Sequence, residues 1–256
     1  NCGPNWGCGQ EATFRLMAAT FARVTLAPSP ATTPARIEQF RRFVQATGSR
    51  IAANLDYALS QSNNHGVSEC VGLFTAATLL PQAYRASEWR GTALRALEAQ
   101  LATLVYRDGG FAQHSANYHR VLLHDLIWCD ALWRSAGAAR PAWFTAAGRR
   151  ATAFLDRLVD PATGRVPLYG ANDGANVLPL SDGDYLDFRP VLQAATVVFQ
   201  GRRRLAAGPW DELAGWLAGA RSEAMRGKPN DAPAASDDER VHGAESGCLT
   251  WRRGGV

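Results

Sequence analysis

The sequence lacks any long apolar run. With no stretch near the ~18 residues that a spanning helix needs, no membrane span is expected. Cysteine is sparse: Cys2, Cys8, Cys70, Cys129 and Cys248 make an odd set with no CxxC pair. That argues against a zinc ribbon or a dithiol redox motif. Cys2 and Cys8 could pair, whereas Cys70 and Cys129 lie in apolar helical patterns and read as small core residues. The redox compartment stays open. Lysine is nearly absent, Lys228 being the only one, so arginine carries almost all the positive charge. Its abundance beside alanine reads as a GC-rich genome. The only basic run, Arg202 to Arg204, is short and reads as a solvated face. A net charge of +4 permits an acidic partner without demanding one, and no nucleic-acid partner is expected. There is no initiator methionine and no signal-peptide pattern, and the chain stops at TWRRGGV. A piece of a longer protein is expected.

What is present is mainly helix. The chain has 256 residues, 46% of them hydrophobic, enough for a sizeable core. Residues 9–26 carry Phe14, Leu16, Met17, Phe21, Val24 and Leu26 on one broad face. Further helical patterns start at Pro34 (with an interruption near Gly48) and at His65. Others cover about 86–105, 115–135, 143–159, 191–199 and 211–225. Residues 160–189 form a long Gly/Asp-rich loop, and 227–240 have linker composition. The tail SGCLTWRRGG reads as a strand. The fold class is therefore all-α, built of helical hairpins. Spacing alone leaves a ring and a bundle equally open.

Three stretches carry chemistry. In SNNHGVSEC, asparagine is a strong N-cap, and His65 and Glu69, four apart, share a helix face. A helix start with a local His–Glu pair accounts for these residues. So does half of an active site. No third ligand stands at a recognisable spacing, so no metal or cofactor is expected. In DGGFAQHSANYHR, Ser115 can cap a helix whose first turn holds Tyr118, flanked by His114 and His119. Tyr118 reads either as a core tyrosine or as a group at a cleft mouth. In YGANDGANVLPLSDGDYLDF, Asp173, Asp182 and Asp184 read as turn residues or as ligands and acids, with at least two in turns.

Taken together and in order, NWGCGQEATFRLMAATFA, SNNHGVSECVGLFTAATLLPQ, DGGFAQHSANYHR and ESGCLTWRRGG resemble the heparinase II/III-type polysaccharide lyases, alginate and oligoalginate lyases included. The resemblance implies an incomplete (α/α) toroid over residues 1–226 and a linker at 227–240. It also implies the first strand of a truncated β-sandwich at 241–256. By the same resemblance Asn64, His65 and Tyr118 are catalytic and act on one sugar ring. Glu69, His119 and Asp173 are expected at the substrate. Family members often carry Glu near Gln113 or His114, and its absence here bears on substrate subclass.

The implied reaction is β-elimination on a uronic acid. Asn64 and His65 would donate N–H groups to the sugar carboxylate as the C5 proton leaves. Tyr118 would protonate the leaving O4, and for one epimer also serve as base. The remaining acid or base would come from the β-sandwich, so the fragment alone is expected to be inactive. Implied partners are an acidic polysaccharide and the protein's own β-sandwich, in a periplasmic or extracellular location. Two other readings compete: a glycoside hydrolase using Asp173 and Asp184, or a non-catalytic carbohydrate-binding domain.

Overall fold

A computed structural model describes residues 7–219 and 238–253. Cys2, the Asn5–Trp6 pair, most of the expected linker (227–237) and the end of the last expected helix (220–225) lie outside the described residues. The described residues form eight helices and one two-stranded sheet. These are the elements expected of an all-α toroid fragment with a small start of sheet.

The chain divides into two compact units, Asn1–Gln100 and Leu101–Val256.

In the first unit, α1 (Gly9–Thr25), α2 (Pro34–Ser60) and α3 (Asn64–Leu79) pack against one another. Three residues join α2 to α3, so α3 folds straight back along α2. The core is Leu16, Met17, Val44, Ile51, Val71, Leu73 and Phe74, all essentially fully buried. α2 runs without the interruption expected at Gly48. That glycine instead gives the ring of Trp89 close access to the helix, since a Cβ there would stand 2.6 Å from the ring. Trp89 belongs to α4 (Ala86–Leu104), in which the boundary between the units falls.

In the second unit, α5 (Ala116–Ser135), α6 (Ala142–Leu158) and α7 (Arg189–Gln200) pack together. Phe144 links them, with ring centroids 4.6 Å from Trp133 and 5.8 Å from Phe199. α5 buries every apolar residue from Val121 to Leu126, together with Ile127, Trp128, Leu132 and Trp133. The expected last helix is instead three short pieces. A 3-10 turn at Pro209–Asp211 leads into α8 (Glu212–Ala214), followed by a π turn at Gly215–Gly219. Glycines within the run, Gly215 and Gly219, weaken a regular α-helix.

The sheet is antiparallel, pairing β1 (Asp238–His242) with β2 (Leu249–Arg253), with Val241 opposite Thr250. β1 begins inside the stretch read as linker, so residues 238–240 are strand. The turn between the strands is clamped by the Asp108 carboxylate, which accepts the N–H groups of Glu245 and Ser246 at 3.1 and 2.8 Å. The same carboxylate accepts the N–H of Gly110 at 3.0 Å. These bonds hold Asp108 below the usual carboxylate range against the opposing effect of burial. Arg107 pairs with Glu245 at 3.2 Å.

Candidate functional site

In the first unit the chemistry sits at the start of α3. Asn63 is the cap, its side chain accepting the N–H of His65 at 2.9 Å. The capping role thus falls on the first asparagine of the pair, and Asn64 is the first helical residue, 97% removed from solvent. His65 is half-buried, with Nδ1 3.6 Å from the Cys8 Sγ. Burial lowers its pKa, with Glu11 pulling the other way, so the imidazole is neutral at pH 7.

Glu69 faces the N-terminus of α1 rather than solvent. Burial pushes its pKa up to about 7, although the Gln10 backbone N–H and Arg50 both favour the charged form. The residue is only 4% exposed, and its Oε2 has no hydrogen-bond partner. The close approach requires glycine at position 9, where a Cβ would lie 2.3 Å from the Glu69 carboxyl carbon. One residue along on each helix, Gln10 Nε2 donates to Ser68 Oγ at 3.1 Å, locking the same two helices together. Cys8, His65 and Glu69 therefore form a cluster whose ligand atoms all lie within 4.8 Å of one another. Sequence spacing concealed it because Cys8 and His65 are 57 positions apart.

In the second unit the chemistry sits at the start of α5. Ser115 is the cap, its hydroxyl accepting the Tyr118 N–H at 3.1 Å and donating to the Ala171 carbonyl at 2.5 Å. The Ala116 N–H reaches the Tyr169 carbonyl at 3.3 Å. The long loop is thereby stitched to the helix start. Gly170, with φ of +73°, makes the approach possible, since a Cβ there would stand 2.0 Å from the His114 carbonyl oxygen.

The Tyr118 hydroxyl donates to Asp173 Oδ2 at 2.8 Å. Asp173 Oδ1 accepts from Asn117 Nδ2 at 3.2 Å and from the Ala175 N–H at 3.1 Å, the latter an Asx turn. Burial first, then the bond to Asp173, pushes the Tyr118 phenol up to about 12. A phenol so placed keeps its proton at neutral pH. Asp173, expected at the substrate, thus orients the tyrosine and closes a turn.

Arg120 ties the rest of the loop down. It donates to the Asn117 side chain at 2.6 Å and to the carbonyls of Tyr185 and Ala175 at 2.5 and 3.1 Å. Its guanidinium also lies over the rings of Tyr185 and Phe188. This anchor was not anticipated. An arginine inside an otherwise apolar helical run was its only sequence signal.

His119 corrects its expectation. It is fully buried, 0% exposed, with Nε2 2.8 Å from the Ala151 carbonyl and its ring against Phe154. Burial lowers its pKa to about 4. A group sealed in this way packs as a core histidine in this structure. His114 has a φ of +48° and stacks near Tyr106. Asp184 accepts the Leu186 N–H at 2.8 Å and pairs with Arg165 at 3.0 Å. With Asp173 committed to Tyr118 and Asp184 to Arg165, neither stands as the isolated acid that a hydrolase pair needs.

No curated protein and no solved structure matches the chain at a significant level. One family does match: the heparinase II/III N-terminus, over residues 10–174, more than half of the chain. The matched span contains the α3 start, the α5 start and the segment of the long loop that reaches Asp173. The chain belongs to the heparinase II/III family, of which it carries the N-terminal domain.

Proposed function

We propose that the chain is the toroid part of a polysaccharide lyase that cleaves uronic-acid-containing polymers by β-elimination. The observation that carries this reading is the hydroxyl of Tyr118, held 2.8 Å from Asp173 with its pKa raised to about 12. A phenol that retains its proton at pH 7 serves as the acid for a leaving sugar oxygen, and the same pKa disfavours it as a base.

The α3 start supports the other half of the reaction. Removing the C5 proton of a uronate builds charge on the adjacent carboxylate. Asn64 carries an amide N–H suited to that oxygen, and the neutral His65 carries one ring N–H. Donors aimed at developing charge stabilise the transition state, each worth ~3 kcal/mol in comparable sites. Glu69 contributes by fixing the end of α1 beside His65 rather than by touching sugar. The remaining base would come from a β-sandwich begun by β1 and β2. An acidic substrate of this kind fits a periplasmic or extracellular location.

The test is Tyr118→Phe in the full-length protein, assayed on a panel of uronate polymers at the ultraviolet band of unsaturated sugars. Elimination should disappear while substrate binding persists. Full turnover by the variant would remove the acid role, and products with plain reducing ends would replace elimination by hydrolysis.

A further inference from the structure

We propose that Cys8, His65 and Glu69 form a binding site for a zinc-like divalent cation, with thiolate, imidazole and carboxylate as three ligands and one position open to water. The donor set is sulfur, nitrogen and oxygen, the mixture that zinc accepts in tetrahedral sites. Zinc–ligand bonds of about 2.0–2.3 Å place ligand atoms roughly 3.3–3.6 Å apart. Cys8 Sγ and His65 Nδ1 already stand at 3.6 Å, and all three ligand atoms lie within 4.8 Å of one another.

A second observation points the same way. Glu69 is 96% buried, yet its Oε2 has no hydrogen-bond partner. A buried carboxylate oxygen left in this state costs free energy, and a cation removes that cost. The backbone holds the group there at the expense of any side chain at Gly9. Cys8 and His65 are only half-buried, which leaves a route for the ion. Coordination by Cys8 releases the thiol proton to solvent, and the cation takes the sulfur lone pair.

The site has a consequence for His65, which rests on the proposed lyase reading, whereas binding itself does not. With Nδ1 on the metal, the ring proton must sit on Nε2. That fixes the tautomer and leaves Nε2–H as a donor. The metal then acts through His65, as a positioning element.

The experiment uses the full chain, stripped with a chelator and titrated with Co²⁺ and then with Zn²⁺. One equivalent of Co²⁺ should bind with a thiolate-to-metal charge-transfer band, and Zn²⁺ should displace it. Cys8→Ser, which retains an N-cap residue for α1, should abolish the band, whereas Cys248→Ser should keep it. Glu69→Gln should weaken binding by roughly tenfold or more. Circular dichroism checks that each variant is folded. Absence of the band in the wild-type chain overturns the site, as does its survival in Cys8→Ser. No substrate is present, so a failure of the lyase reading leaves this result standing. Tyr118→Phe should bind the metal normally.

Discussion

The starts of α3 and α5 are built alike and finished differently. Each begins with a residue in the left-handed region, Ser62 at φ +49° and His114 at φ +48°. These are the only non-glycine residues with positive φ among the described residues. Each is followed by a capping side chain, Asn63 or Ser115, and each helix carries its candidate catalytic residue, His65 or Tyr118, in the first turn. Non-glycine residues pay for such a conformation, and the expense gathers where geometry matters to function. The finish is where they part. Around Tyr118 the hydroxyl, Asp173 and Asn117 all find hydrogen-bond partners. Around His65 a buried carboxylate oxygen does not. The phenol end is complete within its own unit, whereas the imidazole end retains ligand capacity.

The comparison can be broken at its strongest point first. His65→Ala or Asn64→Ala in the full-length protein should lower kcat by about 10²–10³-fold, the loss typical of an oxyanion-stabilising donor. If the proposed reaction uses both residues in one turnover, combining His65→Ala with Tyr118→Phe should cost less than the product of the single losses. Multiplicative losses would separate the two ends.

Next come the two glycines that allow the close approaches. Gly170→Ala meets backbone at 2.0 Å in a left-handed conformation, and Gly9→Ala meets the Glu69 side chain at 2.3 Å. Both should destabilise by roughly 1–3 kcal/mol in urea unfolding, Gly170→Ala more, because backbone yields less readily than a side chain. Equal and negligible effects would show that neither end is tightly built.

Asp173→Asn removes the charged acceptor. The Tyr118 pKa should fall below about 12 yet stay above the free value, because burial remains, read as the phenolate absorbance absent from Tyr118→Phe. Turnover should fall by about tenfold. An unmoved titration would detach the aspartate from the phenol.

The last test concerns pH and stability, and its effect is absent at neutral pH. Buried His119 and His124 have pKa values lowered to about 4 and about 3 by burial, against 6.5 when free. An unfolded chain takes up protons there that the folded chain refuses. Their contribution is present above pH 6.5 and is lost as pH falls through 6.5 toward 4 and 3, at up to about 1.4 kcal/mol per pH unit for each histidine. His124→Gln should flatten the fall of Tm with acid, and an unchanged slope would mean that the ring is protonated in the folded state.

Much of this was legible in advance, for physical reasons. Helices α1 to α7 follow from apolar periodicity, and both reactive stretches showed as cap residues ahead of apolar runs. The pairings that finish each end did not show. Tyr118 meets Asp173 across 55 positions and Cys8 meets His65 across 57, so local spacing carries no trace of either contact. His119 was misplaced because a histidine beside a cleft residue looks exposed, yet its neighbour on a helix faces another way. β1 was hidden because Asp238, Glu239 and Arg240 have the composition of a tether, and only pairing with β2 makes them strand.

One consequence follows from the Asp108 clamp. It lies a few residues ahead of Ser115, so the same short segment that leads into the tyrosine helix also grips the β1–β2 turn. A domain built on that sheet would inherit its angle from the phenol's own scaffold rather than swing on a leash. Loosening that one carboxylate would free the β1–β2 turn from the segment that leads into α5.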